Sequence, residues 1–127
     1  DGLRLVRDAG HDVGGLIIDV WHTERGKTPP AELATVPLRS IVGVELCDAD
    51  AVQVGTLFED TANRRRLCGQ GSFDLRGCIR ALRAAGWTGP WGVEILSEDF
   101  RLLPVREAAA AASTTAAAQL ELTDDGR

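Results

Sequence analysis

Three short apolar runs in this chain each close on a carboxylate: LIID at Asp19, IVGVE at Glu45 and WGVE at Glu94. Side chains alternate faces along an extended strand. Asp19 is thus set opposite Ile18, Glu45 opposite Val44 and Leu46, and Glu94 opposite Val93 and Ile95. Carboxylates brought together out of water are costly unless something neutralises them. A divalent cation does so, and an all-oxygen donor set suits Mg²⁺ or Mn²⁺, with Zn²⁺ or Co²⁺ as alternatives. The competing arrangement is a salt-bridge network with the arginines of NRRRL. His22, three residues after Asp19, would stand at the rim, where it could donate to a substrate oxygen or add a ligand. Arg66 is the expected anchor for an anion or hydroxyl, with Arg64 and Arg65 facing solvent.

The elements that must hold these groups follow from periodicity and turn chemistry. LRLVRDA reads as a helix end stopped by Gly10. Residues 13–20, 41–47 and the GPWGVEILS stretch read as short buried strands. TPPAEL opens a helix that Thr28 can cap, with Pro29 and Pro30 in its first turn and Pro37 beyond. A loop runs from Asp48 to Gly71. SFDLRGCIRALRAAG is an amphipathic helix, capped by Ser72 or Asp74, with Leu75, Ile79 and Leu82 on one face and Gly86 as its stop. The alanine-rich tract 107–118 is a last helix, and TDDGR, residues 123–127, a frayed and disordered tail. Alternating helices and strands predict an α/β fold with a parallel sheet, whose chemistry lies at the C-terminal ends of the strands.

Composition narrows the function classes. The chain has 127 residues, 44% apolar and 26% charged, an ordinary balance for a folded domain. A net charge of −5 with no dense basic face removes the driving force for binding nucleic acid. No apolar run reaches transmembrane length and no signal core is present, so no membrane role and a cytoplasmic location are expected. Cys47, Cys68 and Cys78 form no C-x-x-C pair and are expected to be free thiols. A start at Asp1 with no methionine points to a piece of a longer or processed polypeptide.

LIIDVWHTERGK, VGVELCDAD and RLCGQGSFDLRGCIRALRAAGWTGPWGVEILS together resemble the C-terminal half of sugar phosphate isomerase/epimerase proteins, the xylose isomerase-like TIM barrels. The resemblance implies that residues 1–122 form the C-terminal half of a (β/α)8 barrel, with its sixth to eighth strands. It further implies metal ligation by Asp19 and Glu94, proton transfer by Glu94, and substrate contacts from His22 and Arg66. Two positions depart from the family pattern: Glu45 stands where the family has His or Gln, and Cys68 replaces the proline of the LPGxG loop. The family's first metal glutamate has no counterpart here, and a full barrel takes roughly 250 residues. The remainder of the barrel must come from the same or another chain, and a homo-oligomer is open.

The resulting expectation is a metal-dependent keto-sugar or sugar phosphate isomerase or epimerase. Its cation would chelate a carbonyl and the adjacent hydroxyl, and the proton would move through an enediolate. A polyol dehydratase or a glycoside-cleaving lyase uses the same scaffold, and a non-catalytic subunit or incomplete barrel domain is the rival of another class. The abasic-site endonucleases of this superfamily need a histidine-rich zinc cluster, and the chain has only His11 and His22.

Overall fold

In the computed structural model, which describes residues 2–124, six α-helices alternate with three strands. The order is α1 (Gly2–Ala9), β1 (Leu16–Asp19), α2 (Val20–Arg25), α3 (Pro30–Leu33), β2 (Ile41–Leu46), α4 (Leu57–Asn63), α5 (Leu75–Ala84), β3 (Trp91–Val93) and α6 (Val105–Glu121), with 3-10 turns at Leu38–Ser40 and Phe100–Leu102. The sheet is parallel throughout, in the order β1-β2-β3. Asp19 lies opposite Glu45, and Leu46 opposite Val93. The ladder runs one step further, with the Glu94 N–H donating to Leu46 O at 3.1 Å.

The apolar parity of the strands packs on the helices as alternation requires. Ile18, Val44 and Leu46 join Leu75, Cys78, Ile79 and Leu82 of α5 in the main core. Leu46, Ile79 and Leu82 are fully buried. Fully burying each such side chain contributes about 1.5–3 kcal/mol. Asp74 starts α5 by accepting from the Gly77 N–H at 3.0 Å, and Gly86 stops it at φ +93°.

Several local expectations are corrected. The first strand is Leu16–Asp19, shorter than 13–20, and at its C-terminal end the Asp19 carboxylate accepts from the Trp21 N–H at 2.8 Å and starts the unforeseen helix α2. Thr28 does not cap α3: Pro29 is the residue preceding it, and no side chain caps it. The stretch from 48 to 71 is not all loop, since Thr56 and Glu59 form a reciprocal capping box that starts α4. The third strand contracts to Trp91–Val93, with Glu94 just beyond it. Of the tail, Thr123 is buried and accepts from the Arg83 guanidinium at 2.9 Å. Residues 125–127 lie outside the described residues.

The sheet's two outer strands, β1 and β3, each have one neighbour. Ile17 and Val42, on strands, are more than half exposed. All three cysteines are free, as expected. Among the described residues no helix is long and apolar enough to cross a membrane.

Candidate metal and substrate site

The three strand-end carboxylates converge. Asp19, Glu45 and Glu94 each offer an oxygen, and these oxygens lie within 4.8 Å of one another. Asp19 is buried, while Glu45 and Glu94 are partly buried. This is the juxtaposition that the strand parity predicts.

Arg65 lies in the middle of the cluster, not in solvent. Its side chain is 1% exposed. Nη1 donates to Asp19 Oδ2 at 2.8 Å and lies 3.0 Å from Glu94 Oε2. Nε and Nη2 donate to the Thr61 hydroxyl at 3.2 and 2.8 Å, and its face stacks 5.5 Å from the Trp21 ring. The expectation that Arg65 faces solvent is therefore overturned, and the reason is geometric. Residues 64–66 leave the end of α4 and pass between the ends of β2 and β3, with bridges from Arg66 to Asp48 and from Arg64 to Ser97. Between these two bridges Arg65 is buried while Arg64 and Arg66 stay exposed. Both bridges join segments far apart in sequence, so no local signal singles out Arg65 among the three.

One arginine cannot balance three carboxylates. Glu45 has no hydrogen-bond or ion-pair partner among the described residues. Its pKa is raised, first by burial and then by the charges of Glu94 and Asp19, with Arg65 acting in the opposite direction. The donor chemistry would suit a hard divalent cation: oxygen atoms only, at the mouth of the parallel strands. Cys47 Sγ sits 3.5 Å from Arg65 Nη1, and burial pushes its thiol up to about 12.

His22 lies at the rim, its side chain 65% exposed and Nε2 3.8 Å from Asp19 Oδ2. Arg66 is half exposed and pairs with Asp50 at 2.9 Å. Together with Arg64, Arg65, Gln70 and Ser97 it lines a cavity of about 330 Å³ next to the acidic cluster. The turn below that cavity is held by buried Asp48. Its carboxylate accepts from the N–H groups of Gly69 and Phe73, both at 3.0 Å.

Residues 1–120 match the family described as Xylose isomerase-like TIM barrel. The chain belongs to this family. It is 35% identical over 107 residues to a 3-dehydroshikimate dehydratase of Pseudomonas putida, covering 84% of this chain and 17% of that protein. A 3-dehydroshikimate dehydratase of Pseudomonas aeruginosa is 35% identical over 102 residues, or 80% of this chain and 16% of its own length. Among solved structures, a xylose isomerase-like TIM barrel/4-hydroxyphenylpyruvate dioxygenase fusion protein superposes with a TM-score of 0.84 at 31% identity, over 95% of this chain and 19% of its own. The IOLI protein, whose structure holds a zinc atom, superposes with a TM-score of 0.85 at 23% identity, covering 95% of this chain and 42% of its own, a likeness of fold. The chain spans less than a fifth of the curated relatives it matches. Its three parallel strands with flanking helices are thus part of a TIM barrel.

Proposed function

We propose that the full-length protein is a divalent-cation-dependent enzyme that removes a proton beside the carbonyl of a hydroxylated small molecule and then expels a neighbouring hydroxyl as water. The observation that carries this reading is the convergence of Asp19, Glu45 and Glu94. Asp19, Glu45 and Glu94 would hold the cation, which when bound supplies a Lewis acid for a substrate oxygen. The names of both curated relatives favour dehydration over the isomerase or epimerase outcome. The zinc of the IOLI protein supports a divalent metal.

Glu94 is the proposed proton carrier. Its carboxylate sits at the strand end, partly exposed, with one oxygen held by Arg65. The proton leaves the substrate carbon to Glu94, and the electron pair moves toward the carbonyl. In a dehydratase that pair returns to expel the adjacent hydroxyl, which takes up a proton and departs as water. In an isomerase or epimerase the proton returns to carbon instead. His22 at the rim would donate to a substrate oxygen, and Arg66 would anchor a hydroxyl or anion. Arg65 limits the negative charge of the cluster. The substrate class is a small hydroxylated carbonyl compound such as a keto-sugar or a cyclic hydroxylated ketone, and the location cytoplasmic.

The test is Glu94→Gln in the full-length protein with Mn²⁺. Gln keeps an oxygen donor of similar size but accepts no proton at neutral pH. Metal affinity measured by calorimetry should fall only moderately. Exchange of solvent deuterium into the carbon beside the carbonyl, and water loss from 3-dehydroshikimate followed by mass spectrometry, should fall about 10²–10⁴-fold, the usual contribution of general acid–base catalysis. Near wild-type exchange in the variant would remove Glu94 from this role. Exchange without water loss, on 3-dehydroshikimate or on ketoses, would favour the isomerase outcome.

A further inference from the structure

The structure assigns Asp60 and Thr61, adjacent residues in the middle of α4, as positioning residues that hold the Arg65 guanidinium across Asp19 and Glu94. The assignment rests on the proposed acidic site and concerns the mount beneath it. Thr61 acts directly, its hydroxyl accepting from Nε and Nη2 of Arg65 while its carbonyl accepts from Nε at 3.2 Å. These bonds fix the edge of the guanidinium that points away from the acids, leaving Nη1 for Asp19 and Glu94.

Asp60 acts through Trp21. It is 1% exposed, and Oδ2 accepts from the Trp21 indole N–H at 3.0 Å and from Arg25 Nε at 2.9 Å. Oδ1 accepts from the Val54 N–H at 2.9 Å. The indole cannot rotate without breaking its bond to Asp60. Its ring carries Arg65 at 5.5 Å and Arg25 at 5.8 Å, and Arg25 also stacks 5.0 Å from Phe73. The Trp21 backbone N–H in turn holds Asp19 Oδ1. One tryptophan therefore orients both partners of the buried ion pair, and Asp60 orients the tryptophan. A guanidinium is a planar fork whose two-sided contacts depend on orientation, so an edge contact and a face contact together leave it little freedom.

The experiment uses full-length protein labelled with ¹⁵N-arginine, with the Arg65 signal identified by its loss in Arg65→Lys. In wild type the Arg65 guanidinium N–H should be protected from solvent exchange. Thr61→Val keeps the side-chain volume and removes the acceptor, and Asp60→Asn cannot accept on both sides. Each should speed exchange at Arg65 by roughly tenfold, the scale set by losing one buried hydrogen bond, while amide protection in β2 and α5 stays unchanged. Thr61→Ser should restore protection. If Asp60→Asn proves too unstable, Trp21→Phe, which keeps a ring face but lacks the N–H, takes its place with the same expected outcome. Unchanged Arg65 protection in Thr61→Val and in the Asp60 arm, or loss of protection spread equally over β2 and α5, would overturn the assignment. Neither readout involves metal or turnover, so a failure of wild-type protein to bind Mn²⁺ would count against the proposed function alone.

Discussion

Arg65 Nη1 lies 2.8 Å from Asp19 Oδ2, and both side chains are buried, at 1% and 8% exposure. The pair places a fixed positive charge inside a cluster of three carboxylates and leaves a net negative charge there. That excess is what a metal ion would meet.

Replacing Arg65 with Gln should destabilise the protein. Breaking a buried ion pair from one side typically costs about 3–5 kcal/mol. The lower end is expected here, because the Glu94 side chain is 38% exposed and solvent screens that half of the contact. Urea unfolding of the full-length protein in chelator should show the loss, and added Mn²⁺ should recover part of it. A variant as stable as wild type in chelator would mean that the cluster does not need its arginine.

Glu45 supplies a pH test. Its pKa is raised above 4.5, first by burial and then by Glu94 and Asp19. A carboxyl with a raised folded-state pKa favours folding fully below its unfolded value, and the contribution is lost as pH rises through the folded value. In chelator, Glu45→Gln should therefore melt higher than wild type at neutral pH. The advantage should shrink and vanish as the pH falls below about 4.5. A melting-temperature series across that range checks it, and a constant difference would show that repulsion at Glu45 is not the cause.

Gly71 is the tightest point of the turn beneath the cavity. A Cβ there would clash with Asp48 Oδ1 and with the carbonyl oxygen of Ala49. The second contact is backbone and cannot swing aside. Gly71→Ala should cost about 1–3 kcal/mol, the usual range for an overpacked site. Proteolysis should then cut the 66–73 segment faster, and wild-type resistance to cleavage would show that the turn absorbs the methyl group.

The 127-residue chain produced by itself should self-associate. Strands β1 and β3 are open edges, and Ile17 and Val42 expose apolar surface that a complete barrel would cover. Unpaired parallel edges template further pairing. Sedimentation that finds a stable monomer with a cooperative melt would show that these three strands form a self-sufficient unit.

The alternation of strand side chains was enough to place Asp19, Glu45 and Glu94 on one face and Ile18, Val44 and Leu46 on the other, because a period of two is a local property of extended backbone. The caps at Asp74 and Gly86 were equally local, resting on short-range hydrogen bonding and a positive φ. The family could be read too, from motifs spread along most of the chain. The fate of NRRRL was different. Which arginine enters the site depends on residues 64–66 running between Asp48 and Ser97, partners 18 and 33 positions away from Arg66 and Arg64. Asp60 and Thr61 gained their places beneath Arg65 only when α4 folded back over Trp21, 39 residues earlier. Strand parity and helix caps are decided by neighbours in sequence. The partner of a buried charge is decided by which segments meet in space, and only the tertiary structure brings Arg65 to Asp19 across 46 residues.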